Sequence, residues 1–108
     1  MPVYNKLVRD QIPEIIKASG KTPIIKKLSD QDYIRFAKEK LGEELNEYLE
    51  AKNDEEAVEE LADLMELIQC LAEKHGSSVE QLESVRREKA EKRGSFKEKL
   101  YLSEVLHT

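Results

Sequence analysis

The sequence has no tryptophan, a single cysteine, and only 6% aromatic residues. It also has no low-complexity linker, no repeat of solenoid period and no excess of basic residues. Each shortage removes a class of protein. With Cys70 alone there is no intrachain disulfide, and a reducing compartment is the expectation. A net charge of −5 argues against a general nucleic-acid binder, which carries a basic excess, so no nucleic acid polymer is expected as a partner. No apolar run approaches the roughly 20 residues of a membrane span, and the opening MPVYNKLVRD does not read as a signal peptide. No membrane association and a cytoplasmic location are therefore expected.

What is present is charge on helical spacing. Hydrophobic residues make up 39% of the chain and charged residues 38%, the balance of a helical protein with a narrow apolar face. At 108 residues, one domain spanning 1–108 with a modest core is expected. A chain this small and this charged often completes its core by self-association, so a homodimer or homotetramer is expected.

Local signals divide the chain into elements. Residues 11–19 can form a short helix, with Pro13 in its first turn and Gly20 closing it. Ser29 and Asp32 make a capping-box-like start to a helix running to about Ala51. Asn53 and Glu56 repeat the pattern for a second long helix ending near Gly76, where His75 reads as a helix-end residue. Ser77 or Ser78 caps a third, which runs to about Arg93 before Gly94. The segment TPIIKKL (22–28) and the alternating tail FKEKLYLSEVL (96–106) read as two short strands that could pair. The expected fold is all-α, an antiparallel helical bundle with this minor two-stranded β element.

Residues 42–64, GEELNEYLEAKNDEEAVEELADL, are dense in carboxylates, and helical geometry sorts them. At about 100° per residue, Ile34, Ala37, Leu41, Leu45 and Tyr48 define the buried stripe of the first long helix. Glu44 falls about 60° and Glu47 about 120° from its centre, on the same side and one turn apart. In the second long helix the polar arc carries Glu55, Glu59, Glu66, Gln69 and Glu73. Glu60 and Asp63 project roughly 100° or more from that arc, among Leu64, Leu67, Cys70 and Leu71. A lone carboxylate in such a place is either desolvated at a cost of several kcal/mol or protonated. The short turn around residues 52–54 makes the two helices antiparallel, which brings Glu44 and Glu47 toward Glu60 and Asp63. Four carboxylates at contact distance call for cations, and all-oxygen ligation favours Mg2+ or Mn2+ over zinc.

The pattern EE-x2-E followed by E-x2-D, here Glu43, Glu44, Glu47, Glu60 and Asp63, resembles the MazG-like all-α nucleoside triphosphate pyrophosphohydrolases. That superfamily includes phosphoribosyl-ATP pyrophosphohydrolases and dimeric dUTPases. The opening YNKLVRDQIPEII and the tail KAEKRGSFKEKLYLSEV look like a small single-domain branch of predicted house-cleaning pyrophosphatases, so the resemblance touches nearly the whole chain. It implies a MazG-like bundle that hydrolyses a nucleoside triphosphate, canonical or not, to the monophosphate and pyrophosphate. Glu44, Glu47, Glu60 and Asp63 would hold Mg2+ or Mn2+ at the phosphates and acidify a water. Glu44 would orient or deprotonate that water, with Glu43 the alternative. The resemblance also implies an oligomer, often with sites completed by a second chain.

Basic residues form the other half of a phosphate site. Lys89, Lys92 and Arg93 loosely resemble the family's basic residues after the third helix, which contact the triphosphate; at a helix C-terminus they would also complement the macrodipole. Lys6 and Arg9 stand i, i+3 within NKLVRD and fit either phosphate binding or a salt bridge to Asp10 or to a helix. The competing interpretation is a helical interaction module, or a nucleotide-binding module without turnover, whose acids are a solvated face. It predicts no response of the melting temperature to Mg2+.

Overall fold

The computed structural model describes residues 4–107. Among them it forms four helices: α1 (Ile12–Ala18), α2 (Asp30–Leu49), α3 (Asp54–Lys74) and α4 (Val79–Arg93). Met1 to Val3, on which the reading of the N-terminus partly rests, and Thr108 lie outside the described residues.

The helices begin where the sequence supplies an acceptor for their unpaired N–H groups. Ser29 Oγ accepts from the Asp32 amide at 3.2 Å, Asn53 Oδ1 from the Glu56 amide at 2.8 Å, and Ser78 Oγ from the Gln81 amide at 3.1 Å. Glu56 reaches back to the amide of Lys52 at 2.9 Å, which fixes the turn between the two long helices. At the other end of α4, Gly94 takes φ +83°, a left-handed conformation that a side chain would strain. His75 follows the last residue of α3, as expected for a helix-end residue.

The centre of the fold is the α2–α3 hairpin. The ammonium of Lys74 donates to Asp30 at 2.8 Å and lies 5.6 Å from the Tyr33 ring, tying the end of α3 to the start of α2. The two helices are thus antiparallel over their whole length. Ala37 and Leu71 are buried in the seam, with Ile34, Leu41, Leu64 and Leu67 half-buried around them. α4 packs on α3, whereas α1 packs on no other helix. The chain measures 68 × 36 × 22 Å with a radius of gyration of 18.7 Å; a compact chain of this length has about 13 Å.

Two expectations are corrected. No strand forms among the described residues, so the two-stranded β element is absent. Ile24 is 93% exposed and Leu100 89%, so neither segment has a surface to pack on, and a pair of strands without one is marginal in water. Pro23 also removes one of the few ladder donors in the first segment. The second correction concerns the buried stripe of α2. Leu45 is 47% exposed while Glu44 is only 7% exposed, so the seam passes through Ile34, Ala37, Leu41 and Glu44.

Candidate metal centre

Glu44 takes the place of a core residue. On α2 it follows Leu41 by three residues and Ala37 by seven, the spacing that keeps a side chain on one helix-packing seam. On α3, Glu60 precedes Leu64, Leu67 and Leu71 at the equivalent spacing. The hairpin register sets these two glutamates against each other, and Glu47 joins them from one turn further along α2. One carboxylate oxygen from each of Glu44, Glu47 and Glu60 lies within 4.8 Å of the others. The three form a gradient from the interior to water: Glu44 is buried, Glu60 half-buried and Glu47 exposed.

Two oxygens in this cluster have no donor. Glu44 Oε2 and Glu60 Oε2 are both buried and unpartnered. Ionised carboxylates are acceptors only, so a seam that presents acceptors to acceptors requires a proton or a cation between them. In the absence of a cation the proton stays. The Glu44 carboxyl is pushed up to about 8, first by burial, then by hydrogen bonding with Glu60 and Glu47 and by the charges of Glu47 and Asp63. For Glu60, a hydrogen bond with Glu44 pulls downward. Hydrogen bonding with Glu47, burial, and the charges of Glu47 and Asp63 outweigh it, and Glu60 too is raised. The donor set is hard, oxygen-only and open to solvent on the Glu47 side. It fits Mg2+ or Mn2+, which keep part of their shell for water and phosphate.

Asp63 lies near enough for its charge to act on Glu44 and Glu60. It is outside the three-glutamate cluster, and its Oδ1 accepts from Arg9 Nη2 at 2.6 Å. Of the partners considered for Arg9, the structure shows a salt bridge to a helix, across 54 residues of sequence. Lys6 lies over the Tyr4 ring at 5.5 Å and makes no ion pair with the four acids. Lys89, Lys92 and Arg93 make no ion pair with these carboxylates. With Val85 and Glu88 they line a shallow groove on α4, and Lys92 pairs with Glu88 at 2.8 Å.

One residue at the site escaped the sequence reasoning. The Lys40 ammonium lies 3.7 Å from Glu44 and 3.6 Å from Glu43. Its signal was the i, i+4 spacing to Glu44, although Lys preceding Glu is the weaker orientation of such a pair. It matters here because its side chain is mostly covered and points one positive charge at the buried carboxyl.

No family model matches the chain, and no solved structure matches it. The chain is 48% identical over 54 residues to an uncharacterized protein of Mycolicibacterium smegmatis. That match covers 50% of this chain and 55% of the other, so the chain spans about half the length of the curated relative it matches.

Proposed function

We propose that the protein is a divalent-cation-dependent hydrolase that converts a nucleoside triphosphate to its monophosphate and pyrophosphate. The observation that carries this reading is the pair of buried, donorless oxygens of Glu44 and Glu60 within a three-carboxylate cluster. Two long acidic side chains in a packed seam weaken the fold unless a cation repays their burial. Glu44, Glu47 and Glu60 would hold that ion. When bound, Mg2+ or Mn2+ supplies charge neutralisation at phosphate oxygens and a more acidic water.

The remaining chemistry belongs to the chain. Glu44, the most buried of the three carboxylates, is the one we assign to take the proton of the attacking water, once a bound cation has displaced its own proton. The water oxygen bonds to the phosphorus of the nucleotide, the phosphoanhydride P–O bond breaks, and pyrophosphate leaves with the electron pair. Lys40 keeps a positive charge beside Glu44 through this exchange. The similarity to the MazG-like pattern supports the substrate class.

The same reading includes self-association. On ideal helices, Leu45 and Leu49 of α2 fall on the same side of the hairpin as Val58, Leu61, Met65 and Ile68 of α3, opposite Glu47 and Asp63. These six side chains are exposed. The four on α3 are spaced three, four and three residues apart, the repeat of a helix seam, and suit the same face of a second copy. A second copy there would leave the carboxylates open.

The test is direct. The protein is incubated with Mg2+ and a panel of canonical and modified ribo- and deoxynucleoside triphosphates, and the products are identified. Monophosphate with pyrophosphate is the expected result. No product from any substrate, together with no binding of Mg2+ or Mn2+, refutes the reading.

A further inference from the structure

Lys40 is the most covered cation in any ion pair among the described residues. Its side chain is 24% exposed, against 37% or more for the others. Helix stability gives little reason for a lysine here. Position 40 is in the middle of α2, away from the terminal turn where a cation complements the macrodipole, and lysine four residues before glutamate is the weaker order. Among the described residues it pairs only with acids of its own helix, Glu43 at 3.6 Å and Glu44 at 3.7 Å.

The two oxygens of the Glu44 carboxyl have different surroundings. Oε1 is the one that faces the Lys40 ammonium. Oε2 is buried without a donor, as is Oε2 of Glu60 on the facing helix. The last torsion of a glutamate is broad, so nothing intrinsic sets the plane of its carboxylate. The ammonium does so from a distance too long for a hydrogen bond, and thus attracts Oε1 without occupying its lone pairs. Exposed Glu43 holds the ammonium from the solvent side. We propose that Lys40 is a positioning residue that sets the plane of the Glu44 carboxylate, so that Oε2 alone is offered to the divalent ion and Oε1 stays free for the proton of the attacking water.

This inference rests on the metal-site reading and on Glu44 as the proton acceptor, and it gives those two duties to separate oxygens. One O–H bond of the water breaks and its proton passes to Oε1, while the water oxygen bonds to phosphorus and pyrophosphate leaves. Without Lys40 the carboxylate is free to turn both oxygens on the ion, which holds the cation more tightly and leaves no oxygen for the water. A positive charge beside the seam also opposes cation binding. The lysine therefore lowers affinity for the ion, and what it contributes lies in the proton-transfer step.

Three measurements on the full chain, K40M, K40R and K40M/E44Q test it. Mn2+ binding is followed by the paramagnetic resonance of free Mn2+. Infrared difference spectra, Mg2+-loaded minus metal-free, read the carboxylates, whose two stretching bands lie far apart when one oxygen binds an ion and close together when both do. Turnover is measured on the nucleoside triphosphate that the natural protein hydrolyses fastest. K40M keeps the length of the stem and loses the charge, and should bind Mn2+ at least about threefold more tightly. It should gain a closely spaced pair of bands that K40M/E44Q lacks. Its kcat should fall about a hundredfold with KM changed by less than about threefold. K40R keeps the charge and should lie nearer the natural protein in all three. Weaker Mn2+ binding in K40M, an unaltered spectrum, bands that persist in K40M/E44Q or an unchanged kcat each overturn the inference and leave the metal site standing. K40R indistinguishable from K40M ties the effect to shape rather than charge and overturns it too. No Mn2+ binding by the natural protein removes the metal-site reading and the inference with it. Mn2+ binding without hydrolysis of any nucleotide removes the hydrolase reading and the proton-transfer half of the inference, and the first two measurements still decide the orientation of the carboxylate.

Discussion

Replacing Glu44 with Gln should make the metal-free protein more stable at alkaline pH and indifferent to metal. In the folded chain Glu44 holds its proton to about pH 8, whereas the unfolded chain releases it near the ordinary glutamate value of 4.5. Below pH 4.5 both states are protonated and the buried acid costs nothing extra. Between these values the unfolded chain binds fewer protons than the folded one, so stability falls as pH rises and levels off above about 8. At about 1.4 kcal/mol per pH unit the full gap gives an upper bound near 5 kcal/mol. Coupling to Glu60 and partial access of water reduce this to roughly 2–3 kcal/mol. Glutamine mimics the protonated acid and has no charge to desolvate. Thermal unfolding of the natural protein and E44Q at pH 5 to 8, with and without Mg2+, measures the difference. The two should melt together near pH 5 and diverge by on the order of 10 °C at pH 8, with E44Q the more stable. Millimolar Mg2+ should then raise the natural protein at pH 8, since a ligand at a hundred times its Kd adds about 2.7 kcal/mol, and leave E44Q unmoved. A constant difference across the pH range, or an equal response to Mg2+, would refute the reasoning.

Other outcomes are open to simpler measurement. Asn53→Ala removes the side-chain acceptor at the start of α3 and should cost about 1 kcal/mol, read from denaturant unfolding. Met65→Lys places a charge in the exposed apolar face and should convert the proposed dimer to a monomer in sedimentation equilibrium; an unchanged mass would remove that face as the interface. Glu47→Gln touches the most exposed member of the carboxylate cluster and should weaken Mn2+ binding; because the Glu47 charge helps to raise Glu44, it should also give part, but not all, of the alkaline stabilisation expected of E44Q, read from the same melting curves.

The helices were legible because their boundaries are set by neighbours in sequence. Ser29, Asn53 and Ser78 each cap a helix within three residues of themselves, and such chemistry needs no tertiary partner. The inward turn of Glu44 and Glu60 was legible for a related reason: a helix has only one angle for each residue, and polar side chains already occupied the opposite arc of α3. The commitment of Asp63 could not be read that way. An angle says which way a side chain leaves the helix and nothing about what meets it, and Arg9 arrives from 54 residues away. The strands failed for the converse reason. Alternation in residues 96–106 describes a segment suited to a sheet, but a strand also needs neighbours, and nothing in the described chain provides one.

The misplaced stripe of α2 has the more instructive cause. Averaging over apolar residues drew Leu45 into the seam and left Glu44 about 60° outside it, yet Glu44 is buried and Leu45 half in water. The average mixed two surfaces. α2 and α3 carry one apolar line toward each other and a second, rotated to one side, that stays exposed among the described residues. Apolar side chains mark a surface to be covered without saying by what, so a core face and a face for a second copy look alike in sequence. The hairpin seam is therefore narrower and more acidic than its composition suggests. Each leucine assigned to the outer face leaves a larger share of the inner contact to the glutamates, and strengthens the need for a proton or a cation between Glu44 and Glu60.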